Sequence, residues 1–140
     1  MSSYAGTFDG GMNTISGVYL KSSDEGLGFF KQVSGTVQNL IIEDSYIENT
    51  KTAGTGATGS VVGRLTGTLK TVKSSADVVL NGSEYAGGLV GFVQCANIIS
   101  SNNIGGTISA KWVAGGLFGA IIDGVLTGTF ANSNSTVMNV

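Results

Sequence analysis

Gly87-Gly88-Leu89-Val90-Gly91 and Gly115-Gly116-Leu117-Phe118-Gly119 are near copies of one block, 28 residues apart (115 against 87). Two looser copies precede them, Ser60-Val61-Val62-Gly63 and Gly28-Phe29-Phe30, at spacings of 28 (88 against 60) and 32 (60 against 28). A return of that length marks a stack of similar coils, each too small to bury its own apolar face and all sharing one core. In each block two apolar neighbours sit side by side. They cannot both face inward in a regular strand, so the adjoining glycines must supply a bend or bulge. The block is therefore the expected corner of each coil.

Outward from the blocks, short β-branched runs dominate. Thr14-Ile15-Ser16-Gly17-Val18-Tyr19-Leu20 alternates with Ile15, Val18 and Leu20 inward; Val37 to Ile42, Leu69 to Val72 and Val78-Val79-Leu80 follow. Later turns repeat the theme at Leu89-Val90, Ile98-Ile99, Thr107-Ile108, Trp112-Val113 and Ile121-Ile122. Roughly three short strands per repeat predict an all-β chain, a parallel β-helix (β-solenoid) of about five coils with a repeat near 28 residues. Residues 1–140 read as one such segment. The close on strand-like Ser135 to Val140 suggests a piece of a longer repeat protein. Asn49 to Gly59 reads as a long loop leaving the stack inside the 32-residue spacing.

Composition narrows the functions. Apolar residues are 41%, enough for a core, but charged residues are only 11%, so Ser, Thr, Asn and Gly must cover the surface. Glycine occurs 23 times and proline never, which leaves the glycines to make the turns. Net charge is -2 and the seven basic residues form no run, which argues against nucleic acid as a partner. The absence of histidine removes imidazole acid–base chemistry and most zinc or copper sites. The single Cys95 follows Gly91-Phe92-Val93-Gln94 and reads as a buried packing thiol. No segment has the build of a signal peptide, and none approaches the ~18 apolar residues of a membrane helix.

Carboxylates are the remaining source of chemistry. Glu43, Asp44 and Glu48 are the densest group, but neighbours 43 and 44 point to opposite faces of a continuing strand. Asp44 and Asp77 fall at similar distances from their blocks and should lie about one coil apart, with Lys73 the nearest basic partner. That arrangement is the minimum a glycan-cleaving β-helix needs, yet solvated surface charges explain it as well. No calcium-loop pattern occurs, and Asp9-Gly10-Gly11 and Asp123-Gly124 read as turns. Thr36 and Thr68 share a register while Thr107 and Thr129 do not, which speaks against a flat threonine plane. Tyr4, Tyr19, Tyr46, Tyr85 and Trp112 are the aromatics able to stack on sugar rings if they lie outside. Asn39, Asn49, Asn81, Asn97, Asn103 and Asn132 sit near strand ends, where amides can stack in ladders.

Gly6-Thr7-Phe8-Asp9-Gly10-Gly11-Met12-Asn13-Thr14-Ile15-Ser16-Gly17-Val18-Tyr19 resembles the opening segment of GLUG-motif repeat proteins. Gly35-Thr36-Val37-Gln38-Asn39-Leu40 is similar to that family's G-x-I-x-N-L pattern, and the two Gly-Gly-Leu blocks to its name-giving motif. The chain departs from the pattern at Met12, Asn13 and Lys31. The resemblance implies a right-handed parallel β-helix in a bacterial cell-surface or secreted protein of adhesin type, and it transfers no catalytic residue. The expectation is thus a structural or adhesive scaffold, with no catalytic, cofactor-binding or metal residue assigned and no membrane insertion. Surface glycans, host or cell-surface proteins, and neighbouring coils or self-association through open ends are its expected partners. A carbohydrate-binding or glycan-cleaving β-helix, including the phage tail-fibre type, is the alternative.

Overall fold

The computed structural model of the chain describes residues 3–52, 56–82, 84–133 and 135–139. Among them there is no helix, and every strand pairing is parallel. The first turn runs through β1 (Ser3–Tyr4), β2 (Thr7–Ser16), β3 (Tyr19–Ser22) and β4 (Gly26–Leu27). The second has β5 (Phe30–Val33), β6 (Thr36–Glu43), β7 (Tyr46–Asn49) and β8 (Gly56–Gly59). The third has β9 (Val62–Leu65), β10 (Thr68–Ser74), β11 (Asp77–Leu80) and β12 (Glu84–Gly87). The fourth has β13 (Val90–Ile99), β14 (Asn102–Asn103), β15 (Gly106–Ala110) and β16 (Val113–Gly115). Part of a fifth follows as β17 (Phe118–Thr127), β18 (Ala131–Asn132) and β19 (Ser135–Asn139). The chain is a parallel β-solenoid whose strand partners lie 27 (Tyr19 and Tyr46) to 32 (Phe30 and Val62) residues apart.

Each complete turn holds four strand positions, where the pattern of apolar runs predicts three. The fourth position, β4, β8, β12 and β16, is built from short segments such as Gly-Ala-Thr-Gly and Val-Ala-Gly. Small residues bring the backbone close to the core without leaving an apolar run to read. The predicted loop Asn49 to Gly59 is therefore too long. Asn49 ends β7, and Gly56 to Gly59 form a buried strand, while Ala53, Gly54 and Thr55 lie outside the described residues. The 32-residue spacing does gain its length there: β7 and β11 are offset by 31 (Asn49 to Leu80), β8 and β12 by 28 (Gly56 to Glu84).

The glycine-led blocks are corners, as their sequence requires. Leu89 and Val90 are both fully buried. Their two amides donate to the single carbonyl of Leu117 (2.8 and 3.2 Å), and Val61 and Val62 do the same to Leu89 (3.1 Å each). The closing Gly63 carries no side chain because a Cβ there would lie 2.5 Å from the amide nitrogen of Leu27. Inside, the same columns stay apolar from turn to turn: Val37, Leu69 and Ile98 stack in one, Ile47, Val78 and Ile108 in another, all fully buried. Such burial contributes about 25 cal/mol per Å² of apolar surface and is the main stabilising force of the stack.

One column turns polar after its first members. Ile42, Ser74, Asn103 and Asn132 follow one another in register. Across the core from Ser74 stands Ser60, the block position that is glycine in the next two turns. Ser60 Oγ lies 2.6 Å from Ser74 Oγ and 2.5 Å from the Gly88 carbonyl. One hydroxyl proton serves one acceptor, so Ser60 donates to Gly88 and Ser74 donates to Ser60. In turns four and five the longer Asn103 and Asn132 point at Gly88 and Gly116, where a Cβ would overlap their amides. Two serines thus occupy the room that a glycine and an asparagine share elsewhere. Asn103 Nδ2 donates to Asn132 Oδ1 (2.9 Å), which realises one step of the expected asparagine ladder. Asn103 Oδ1 is buried without a hydrogen-bond partner.

A second column holds left-handed backbone. Met12, Asn39, Thr71, Ser100 and Gly128 take φ values of 61, 54, 52, 42 and 96° at one corner of successive turns. Only Gly128 and Asn39 suit that conformation; a β-branched threonine does so least. Gly128 is doubly constrained, because the Ser100 side chain fills the space its Cβ would take.

Two outcomes follow for stability. Ser74→Asn and Ser60→Gly should each destabilise by about 1–3 kcal/mol, by overpacking and by stranding a hydroxyl respectively. Together they should recover most of the loss, since the introduced asparagine then faces a glycine, as in turn four, and can donate to Asn103 Oδ1. A double-mutant cycle from urea unfolding reads this, and simple additivity would refute the pairing. Thr71→Asn should stabilise by about 1 kcal/mol in the same assay.

Candidate functional site

The corner leading from the second strand position to the third differs among turns. Ile15, Ile42, Ser74 and Asn103 share an inward column before it. Tyr19, Tyr46, Asp77 and Thr107 share an outward column after it. Three residues bridge the two columns in turn one (16–18), turn two (43–45) and turn four (104–106), and the longer corner is taken with left-handed Gly17, Asp44 and Gly106. Turn three crosses with only Ser75 and Ala76. Its corner is one residue short, and its ends keep their backbone bonds to turn two, Ser75 N–H to the Ile42 carbonyl (2.9 Å) and Asp77 N–H to the Ser45 carbonyl (2.8 Å).

An open groove of about 450 Å³ lies there, lined by Gly17, Val18, Tyr19, Asp44, Ser45, Tyr46, Ser75 and Asp77. Buried Ser45 braces it, accepting from the Val18 amide (3.1 Å) and donating to the Glu43 carbonyl (2.7 Å). Tyr19 and Tyr46 stack face to face, with ring centres 5.5 Å apart and planes inclined by 13°. Asp77 is in register directly after Tyr46, and its Oδ1 accepts the Thr107 amide of the next turn at 2.8 Å. Asp44 is exposed, and its carbonyl accepts the Gly17 amide (3.2 Å).

Beside the ring pair, Glu48 ties three turns together. It accepts from Asn81 Nδ2 (2.9 Å) and the Tyr46 hydroxyl (3.2 Å), and pairs with Lys21 Nζ (3.3 Å). The Asn81 amide, then Lys21 and Tyr46, hold Glu48 below the ordinary glutamate value of 4.5 against the opposing effect of partial burial. Glu48 in turn raises Lys21 above 10.5. Partial burial, and then the bond to Glu48, raise the Tyr46 hydroxyl.

Asp44 and Asp77 do meet in one groove, but Asp77 stacks after Tyr46 and not after Asp44. The left-handed turn at Asp44 ends the alternation that would separate it from Glu43. Lys73 lies between Ile41 and Asn102 on β10 and takes no part. Of the aromatics, Tyr19 and Trp112 are 66% exposed, whereas Tyr4 packs on Phe30 and Tyr85 on Phe92. Cys95 is not the buried thiol its apolar prefix predicts. It sits exposed at a left-handed corner (φ 49°), with its sulfur 3.8 Å from Asp123 Oδ2. That corner holds one residue more than Thr66-Gly67 in turn three, and the extra residue turns the thiol outward. Thr36 and Thr68 are in register and Thr7 joins them, but Asn97 and Val125 follow, so the row stays one residue wide and three long.

A second groove of about 300 Å³, near Ser3, Glu25 and Gln32, is largely self-neutralised. Lys31 pairs with Asp24 at 2.5 Å, and the Arg64 guanidinium lies 4.9 Å from the Phe92 ring centre. Among the described residues no group of three or more His, Cys, Asp or Glu side chains is placed to hold a metal ion, and no helix is long and apolar enough to cross a membrane. No family model, curated protein or solved structure matches the chain.

The Glu48 cluster should be visible in pH dependence. Glu48 is depressed when folded, so its stabilisation is present above pH 4.5 and is lost as pH falls through its folded value. Lys21 is elevated, so its share is complete below pH 10.5 and is lost as pH rises beyond that. Thermal unfolding of Glu48→Gln should show a shallower acid limb than the parent chain, with Asp9 and Asp24, both also lowered, supplying the slope that remains.

Proposed function

We propose that this chain is a rigid, non-catalytic β-solenoid scaffold that presents a lateral interaction face, in a structural or adhesive protein of the bacterial surface or secretions. The observation that carries this reading is the groove beside β3, β7 and β11. It places two stacked tyrosines and two carboxylates on the side of a stack whose turns are locked together by continuous parallel ladders. The groove is open to solvent along the side of the stack, and Asp44 is exposed. The similarity to GLUG-motif repeats supports the bacterial surface or secreted setting.

The ends of the stack belong to the same reading. Ile121, Leu126 and Val137 are 40–47% exposed in the last turn, whereas Val93, Ile98 and Ile108 in the same columns one turn earlier are fully buried. Such an apolar rim, edged by unpaired strand groups, is a surface that a second copy of the chain can cover.

Beads carrying the chain, passed over surfaces coated with polysaccharides or with cell-surface proteins, test the proposal. Retention without change in the length of any polysaccharide is expected. Release of new reducing ends or unsaturated sugars would overturn it, as would failure to be retained on any coating.

A further inference from the structure

We propose that the groove at the short corner of turn three binds one neutral pyranose ring, which stacks on Tyr46 and gives hydroxyl hydrogen bonds to Asp44 and Asp77. The inference rests on the lateral-face reading above and specifies its ligand.

The aromatic column supplies the platform. Tyr19 covers one face of the Tyr46 ring. On the other side the next position in register is Asp77, a short side chain committed through Oδ1 to the Thr107 amide of the following turn. At the same place the corner of turn three is one residue shorter than that of turn two. A ring-sized position in the stack is therefore left to solvent, inside a volume that ordinary small-ligand sites occupy.

The lining selects the ligand chemistry. A pyranose presents a C–H face that packs on an aromatic ring and a rim of hydroxyl donors. Ionised carboxylates only accept, and Asp44, together with Asp77 Oδ2, is placed for those donors. The Ser75 hydroxyl adds a group able to donate or accept. A wholly aromatic ligand would leave the carboxylates without donors, and an anionic sugar would meet two like charges. A cation would compete with Lys21, whose ammonium is already paired with Glu48 (3.3 Å) next to Tyr46.

Amide NMR of the intact chain, titrated to about 50 mM with methyl glycosides of glucose, galactose and mannose, tests the site in the weak range expected for one sugar. Shifts confined to residues 17–19, 44–46 and 75–77 are expected with at least one of them. Tyr46→Phe should keep the response, Tyr46→Ala should weaken it about tenfold, and Ser75→Trp should abolish it by filling the notch while Tyr46 stays in place. Trp112→Ala should leave it unchanged. No shift in the groove with any glycoside overturns the proposal, as does tighter binding of methylamine than of the glycosides. If beads are still retained while the groove does not respond, the site alone is wrong; if nothing is retained, the broader reading fails with it.

Discussion

Register between successive turns is the constraint on which this structure depends. A solenoid coil has no core of its own, so each residue's surroundings are set by the residue one turn before and one turn after. Parallel ladders enforce that correspondence at all four strand positions, and the glycine-led corners reinforce it by giving one carbonyl two amides from the neighbouring block. A shift by one residue would turn every apolar column outward. Length changes are accordingly confined to corners, where strand pairing is already interrupted.

Within that frame, departures from the repeat are answered by something next to them. Ser60 replaces a block glycine and faces Ser74, whereas the two following turns, with Gly88 and Gly116, carry asparagine opposite. Over these three turns the total volume at that level of the core stays nearly the same, and among the described residues Asn103 Oδ1 is the buried polar side-chain atom left without a partner. The left-handed column behaves in the opposite way. Thr71 and Met12 accept strained backbone because the neighbouring turns dictate the path of the corner.

Much of the fold could be read in advance. The near-constant return of the blocks, the inward Val37, Leu69 and Ile98, the shared register of Thr36 and Thr68, and the extra length after Asn49 all follow from periodicity and alternation. The fourth strand of each turn did not, because glycine, alanine and threonine make a strand there without an apolar signal. Cys95 was misplaced for a related reason: alternation from Gly91 onward assumes a continuing strand, and a left-handed corner breaks it. Of the groove, the tyrosines and the two aspartates were each visible as candidates, but their assembly was not.

The amino-acid sequence by itself determined that this chain stacks in parallel coils, since a repeated apolar block with glycine at its edges has no other way to bury both of its neighbours. Only the tertiary structure decided where that stack departs from a smooth rod. The shortening at Ser75 and Ala76 is a single residue, and the larger insertion between β7 and β8 (an offset of 31 falling to 28) hides it in the overall spacing. It becomes part of a groove whose other walls are the longer corners of turns one and two, and a difference between adjacent coils exists only once their register is set.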